Sequence, residues 1–258
     1  MRKCKPMTNI ILNGCNGKMG QVITRIVSEQ ENCQIVAGVD VNTAVQNSYP
    51  VFENINDCNV PADVIIDFSH PSSLENLLAY SASRGVPAVV ATTGLTKQQV
   101  DSIRATSEKV ALFFSANMSL GVNLITALAK KAAKFLEGSF DIEIVERHHN
   151  QKIDAPSGTA LAIANAISDS LTNKPEFVYD RHSVRKKRSK TEIGLHSVRG
   201  GTIVGDHEII FAGNDEVIEI KHSAASKEVF AVGAVRAAMY LCGKQPGLYD
   251  MNHLVGEI

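Results

Sequence analysis

Five short apolar runs limit the fold of this chain more than any other feature. NIILN at 9–13, CQIVAGVD at 33–40, ADVIIDFSHP at 62–71, VPAVVATTG at 86–94 and ALFFSA at 111–116 contain few interruptions by polar residues. A strand with one wet face alternates, whereas a continuous run must be covered on both faces. Between the runs lie segments of helical period. Met19, Val22, Ile23, Ile26 and Val27 recur every three or four positions within 18–30, as do Leu74, Leu77 and Leu78. Ser72 or Ser73 is expected to cap the second of these helices and Gly85 to stop it, while Thr96 with Gln99 spells a capping box for the third. Strand and helix in strict alternation predict a mostly parallel sheet clad in helices.

The rhythm changes near residue 119. SLGVNLITALAKKAAKFLEG, 119–138, reads as one long helix, and FDIEIVE, 140–146, alternates with period two as a half-buried strand does. After a second helix, ALAIANAISDSL, the stretch 172–190 is polar. IGLHSV, GTIVGDHEIIFAG and EVIEIKHSA then read as strands joined by Gly- and Asn-bearing turns, an antiparallel run by expectation. VFAVGAVRAAMYLCG returns to helix before a short tail. The division expected is 1–118 with 226–258 in one domain and 119–225 in the other.

Composition narrows the functional classes. At 258 residues, 44% hydrophobic and 21% charged, with a net charge of −1, the chain is an ordinary globular protein with no field that draws nucleic acid or membrane. No apolar run reaches the length of a membrane span. MRKCKPMTN lacks an apolar core and reads as a short tail instead of a signal peptide. The five cysteines, Cys4, Cys15, Cys33, Cys58 and Cys242, are scattered without metal-ligand spacing and read as reduced thiols, which places the chain in the cytoplasm. RHSVRKKRSK, 181–190, has no interleaved aromatics, so a solvated, mobile loop is expected there and no nucleic-acid contact.

Two constellations carry chemistry. NGCNGKMGQV, 13–22, follows a strand and opens a helix, with Gly14, Gly17 and Gly20 spaced for a tight turn that lets a pyrophosphate reach the helix N-terminus. Asp40 ends the next strand, where an acid accepts hydrogen bonds from an adenosine ribose. Thr92, Thr93 and Gly94, at the end of a parallel strand, are candidates for the nicotinamide side of the crevice, or else form an ordinary turn before the Thr96 cap. The second constellation is RHHNQKIDAPSGTA, 147–160. A strand end presents His148 and His149, Lys152 adds a cation, and Pro156, Ser157 and Gly158 lead into a helix at Thr159. Backbone N–H groups, hydroxyls and a lysine suit a small carboxylate, and a histidine near neutral pH can supply a proton. Adjacent strand residues point to opposite faces, so the histidine pair is not read as a metal site.

NGCNGKMG, IDFSHP, ATTG, FFSANMSLGVN, ERHHNQKIDAPSGTA and HSVRGGTIVGDHEIIF run in this order across most of the chain. Together they resemble the dihydrodipicolinate (4-hydroxy-tetrahydrodipicolinate) reductase family of lysine and diaminopimelate biosynthesis. The resemblance implies an α/β fold: a Rossmann-like parallel-sheet cofactor domain plus an α+β substrate and oligomerisation domain with a mixed open sheet, assembled as a homotetramer and closing about a hinge. It implies hydride transfer from NADH or NADPH to a cyclic imine dicarboxylate. His148 and Lys152 would be the catalytic pair, with the proton donor left open between them; His149, Lys152, Gly158 and Thr159 would hold the substrate's carboxylates. Gly14, Asn16, Gly17, Lys18, Met19, Asp40, Thr92, Gly94 and the turn Ser115, Ala116, Asn117 and Met118 would line the cofactor site, and Arg199 and Gly200 would lie near the substrate or the hinge. Relatives that favour NADPH often carry Arg after the ribose acid. Val41 stands there instead, so NADH is expected to serve at least as well, with Lys18 the one cation that argues otherwise. Three rivals remain: a reductase of a related cyclic imine, a dinucleotide sensor without turnover, and a lyase that uses Lys152 as a Schiff base.

Overall fold

A computed structural model describes residues 7–256. Cys4 and nearly all of the expected N-terminal tail lie outside the described residues. The chain divides into two compact units. One takes the described residues through Ser119 and those from Glu228 onward; the other is Leu120–Lys227.

In the first unit, strands β1 (Thr8–Asn13), β2 (Cys33–Val39), β3 (Val51–Phe52), β4 (Val64–Asp67), β5 (Ala88–Val90) and β6 (Ala111–Phe114) alternate with helices α1 (Lys18–Ser28), α2 (Leu74–Arg84) and α3 (Lys97–Ser107). Ile10, Ile11 and Leu12 of β1 and Val64, Ile65 and Ile66 of β4 are fully buried, as runs without alternation require. The capping box of Thr96 and Gln99 and the left-handed Gly85 are both present. The cap before α2 differs from expectation. Neither Ser72 nor Ser73 supplies it. His70 does, its ring nitrogen accepting the Ser72 N–H, because Pro71 opens a 3-10 turn that precedes the helix. The two-residue β3 was also unforeseen, being too short to show a period.

The second unit holds α4 (Leu120–Leu136), β7 (Asp141–His148), α5 (Gly158–Ser170), β8 (Glu176–Val178), β9 (Glu192–Arg199), β10 (Gly205–Ala212) and β11 (Val217–Ala224). The sheet order is β11-β10-β7-β9-β8. Ile125, Ala129 and Ala133 of α4 and Ile163 and Ile167 of α5 form one core with Ile142, Ile144, Ile209 and Phe211 of the sheet. The expected antiparallel run holds for β10 and β11, which pair directly, but β9 is not the neighbour of β10, because β7 lies between them. β10 is antiparallel to both β7 and β11, but β9 runs parallel to β7 and to β8. The chain leaves β7 through α5 before reaching β9, and a crossover of that length returns a strand in the same direction. The basic run is mostly exposed and without regular secondary structure, as expected, but two of its members are paired: Arg181 bonds Glu192 and Glu143, and Arg188 bonds Asp141 and Glu143.

The chain returns to the first unit as α6 (Glu228–Leu241), β12 (Gly247–Tyr249) and α7 (Met251–Val255). Its sheet has the order β12-β6-β5-β4-β1-β2-β3 with every pair parallel. The order reverses between β1 and β4, where open parallel sheets form a ligand crevice beyond the carboxyl ends of their strands. α6 packs closely because its inner face is small: Ala231, Ala234 and Ala238 are fully buried. A Cβ on Gly233 would lie 1.7 Å from the Met118 carbonyl oxygen. Gly233→Ala is therefore expected to destabilise the chain by about 1–3 kcal/mol through overpacking. A urea midpoint equal to that of the parent would show that the helix backs away without cost.

Candidate active site

The crevice of the first unit is a cleft of about 620 Å³ lined by Asn13, Gly14 and Gly17, by Asp40 and Val41, and by Ser69 and His70, among others. The three glycines divide the work. Gly14 sits at φ +81°, and a Cβ there would lie 2.6 Å from the Phe68 carbonyl oxygen. A Cβ on Gly20 would lie 2.2 Å from the Gly14 carbonyl oxygen, so this glycine lets the helix close on its own loop. Gly17 is the exposed N-cap of α1 and makes no side-chain cap bond. That leaves helix N–H groups beside a cleft wall without side chains, a cradle that fits a pyrophosphate.

Asp40 is held in place: its carboxylate accepts the Asn16 N–H and the Asn42 N–H, both at 2.9 Å. Lys18, the first residue of α1, is exposed, and Met19 is half-buried beside it. Thr92 is buried and its hydroxyl donates to Asp67 at 2.7 Å, so its side chain serves an internal network of Asn13, Asp67 and Ser69. Burial pushes the Asp67 carboxyl up, against the pull of the Ser69, Thr92 and Asn13 donors. Gly94 is exposed at φ +76°. In the 115–118 turn the Ser115 hydroxyl donates to the Asn117 carbonyl at 2.9 Å; Ala116 is exposed and Met118 buried. The cleft also takes Glu53, Asn54 and Asp57, which the sequence reading missed because they follow the two-residue β3.

In the second unit the second constellation gathers around a residue outside the candidate set. β7 buries every second residue, and its inward positions Ile142 and Ile144 continue to Glu146 and His148. Glu146 accepts from His148 Nδ1 at 2.6 Å, from Arg199 Nη1 and Nη2 at 2.8 and 2.7 Å, and from the Ser157 N–H at 3.1 Å. Burial pushes its carboxyl up, but Arg199 above all, then His148, Ser197 and Ser157, outweigh burial and hold it at about 2. Ser157 caps α5 by accepting the Ala160 N–H, and its hydroxyl meets His207 Nε2 at 3.0 Å. The His148 and His207 rings stand edge to face, 5.3 Å apart. Burial first, and then His148, push His207 down to about 4, so it stays neutral near pH 7. His149 is half-buried. Lys152 Nζ pairs with Asp154 at 2.7 Å, while Gly158 and Thr159 form the first turn of α5. Arg199 also donates to the Asp154 carbonyl, and the Gly200 N–H to the His148 carbonyl. The missed residues carried a signal. Glu146 lies in the apolar register of FDIEIVERH, and His207 in that of DHEIIF. A charge at an inward position needs a buried partner.

Family comparison agrees with this geometry. Residues 8–118 match the model of "Dihydrodipicolinate reductase, N-terminus", and residues 121–255 that of "Dihydrodipicolinate reductase, C-terminus". The chain belongs to the dihydrodipicolinate reductase family. It is 51% identical over 249 residues to a 4-hydroxy-tetrahydrodipicolinate reductase of Clostridium novyi (strain NT), covering 96% of this chain and 98% of that one. A reductase of the same name from Caldanaerobacter subterraneus subsp. tengcongensis matches equally, at 51% identity with 96% and 98% covered. Among solved structures, the dipicolinate-bound dihydrodipicolinate reductase from Paenisporosarcina sp. TG-14 superposes with a TM-score of 0.80 at 26% identity, covering 95% of this chain and 97% of that one. Among the described residues no group of three or more His, Cys, Asp and Glu is placed to hold a metal ion, and no helix is long and apolar enough to cross a membrane.

Glu146 makes acid stability a test of this site. Its carboxyl titrates in the fold at about 2 against an ordinary 4.5, so its contribution is complete above pH 4.5 and is lost as pH falls toward 2. The stability difference between the parent and Glu146→Gln, from urea titrations, is expected to be flat above that window and to shrink within it. A difference that ignores pH across the window would mean that no charged carboxylate is at work.

Proposed function

We propose that this chain catalyses the NAD(P)H-dependent reduction of 4-hydroxy-tetrahydrodipicolinate to tetrahydrodipicolinate in lysine and diaminopimelate biosynthesis. The observation that carries the proposal is the half-identity, over nearly the whole chain, to reductases of that name. The first unit is the dinucleotide-binding domain and the second the substrate and oligomerisation domain. Gly14, Gly17 and the first turn of α1 would hold the pyrophosphate, and Asp40 the adenosine ribose. Asn16, Lys18, Met19, Thr92, Gly94 and Ser115 to Met118 complete the proposed cofactor contacts, Thr92 through the Asp67 network. When bound, the reduced nicotinamide supplies the hydride.

His148 and Lys152 handle the proton, and His149, Lys152, Gly158 and Thr159 hold the carboxylates. A cation and a helix N-terminus both favour an anion at that turn. The Lys152–Asp154 pair is loose enough to yield Nζ to a substrate, because Asp154 is mostly in water and an exposed pair contributes little. NADH is used at least as well as NADPH. Asp40, Glu53 and Asp57 all line the cleft and would repel a 2′-phosphate, and Val41, 86% exposed, offers no charge to offset them. The proposed assembly is a homotetramer in the cytoplasm. The edge strand β11 exposes Val217 and Ile218, and Cys15, Cys33, Cys58 and Cys242 are free thiols.

The deciding assay follows nicotinamide oxidation with substrate made in situ from pyruvate and aspartate semialdehyde by the preceding synthase. Oxidation that depends on the synthase product is expected with both cofactors, at an efficiency for NADH equal to or above that for NADPH. Absence of turnover by a folded, dinucleotide-binding chain would leave the sensor reading in its place. Lys152→Ala is expected to lower kcat/KM by roughly 100-fold or more. An Arg at position 41 (Val41→Arg) should shift the cofactor ratio toward NADPH by about 1 kcal/mol, roughly fivefold. An unchanged ratio would mean that the 2′-phosphate lies elsewhere.

A further inference from the structure

The hydrogen bonds around Glu146 reach past its own strand. One oxygen, Oε2, takes His148 Nδ1 and Arg199 Nη1; the other, Oε1, takes Arg199 Nη2 and the Ser157 N–H. The side chain is 1% exposed, so water does not compete for these sites. An ionised carboxylate only accepts. The nitrogen of His148 that faces it must therefore carry the hydrogen, and Nε2 is left as the nitrogen free to take or give a proton. Nε2 points toward Gly205, where an added Cβ would lie 3.0 Å away. The ring thus has a glycine beside its working nitrogen and a locked carboxylate behind it.

We propose that Glu146 is the positioning residue of the site, holding His148 in the Nδ1–H form with Nε2 directed at Gly205 and tying that orientation to the Ser157 turn that opens α5. This rests on the reading of His148 as a proton-handling group. Arg199 is the counter-ion that keeps Glu146 an acceptor inside the fold. Its two-pronged grip orients both oxygens, which a lysine could not do. The Ser157 N–H adds a link from β7 to the turn bearing Gly158 and Thr159, so that a shift of the carboxylate would move the imidazole and the proposed anion turn together.

Glu146→Gln tests the idea because an amide has one acceptor oxygen where the carboxylate has two for the same set of donors. With that oxygen claimed by Arg199 Nη2 and Ser157 N–H, the amide NH₂ would face His148 Nδ1 and demand an acceptor there. The measurement is long-range 1H–15N correlation on the 15N-histidine protein at a pH where the imidazoles are neutral, with His148 assigned by its loss in His148→Gln. The parent is expected to show His148 as Nδ1–H, and Glu146→Gln to move it toward Nε2–H. In the reductase assay kcat of Glu146→Gln is expected to fall at least about tenfold, by a larger factor than KM rises. A parent His148 in the Nε2–H form overturns the proposal. So does a folded Glu146→Gln that keeps the parent tautomer and kcat, or one that raises KM alone, which would make Glu146 a support of the turn only. Should Glu146→Gln fail to fold, the parent spectrum decides by itself. If the parent oxidises no cofactor, the reductase reading fails separately, and the tautomer still reports whether Glu146 sets His148.

Discussion

A carboxylate almost wholly withdrawn from water must replace every lost contact with solvent. Glu146 does so with donors from three segments: its own strand, β9 and the turn before α5. Desolvation of such a group costs several kcal/mol, and the cost is recovered only when charge and geometry are both matched. Arg199 supplies the charge and the fork. The consequence is rigidity in the three places where chemistry is proposed, because β7, β9 and the α5 entry cannot shift separately without breaking bonds to one side chain. The parallel pairing of β7 with β9 is what makes this possible, since it sets His148 opposite Arg199 in register.

The first unit solves a different problem with less charge. Its glycine turn approaches the Phe68 backbone so closely that no side chain fits at position 14, and α1 closes on the turn through Gly20. A cleft of about 620 Å³ remains at the point where the strand order reverses, with backbone N–H groups on one wall and carboxylates on another. Asp40, Glu53 and Asp57 are the acids on which the proposed preference for a cofactor without a 2′-phosphate rests. The buried Asp67 network beneath it, bonded by Asn13, Ser69 and Thr92, ties the ends of β1, β4 and β5 to one another. Loops that must present N–H groups at fixed positions need such an anchor, because loops otherwise move more than the elements they join.

Much of this was legible in the chain. The continuous runs of β1, β2, β4, β5 and β6 mark a parallel sheet, the capping box of Thr96 and Gln99 is local chemistry, and the family motifs point to both constellations. The illegible parts share a physical cause. β3 and β8 are too short to show a period, and their strand character comes from the neighbour that hydrogen-bonds them. The direction of β9 depends on a crossover, which spacing cannot report. Arg181 and Arg188 look like members of a solvated basic run until Glu143 and Glu192 arrive from distant strands.

The sequence by itself determined the elements with strong local periods, the glycines of the first-unit turn, and the residue types proposed to handle protons and anions: His148, His149, Lys152 and the Ser157–Thr159 turn. Those properties are local, because they depend on side-chain type and on separations of a few residues. Only the tertiary structure decided that Glu146 would be buried, that Arg199 from fifty-three positions away would neutralise it, and that Thr92 would face Asp67. Charge pairing and desolvation act through space, and which groups meet is settled by strand register and by the crossover that brings β9 beside β7.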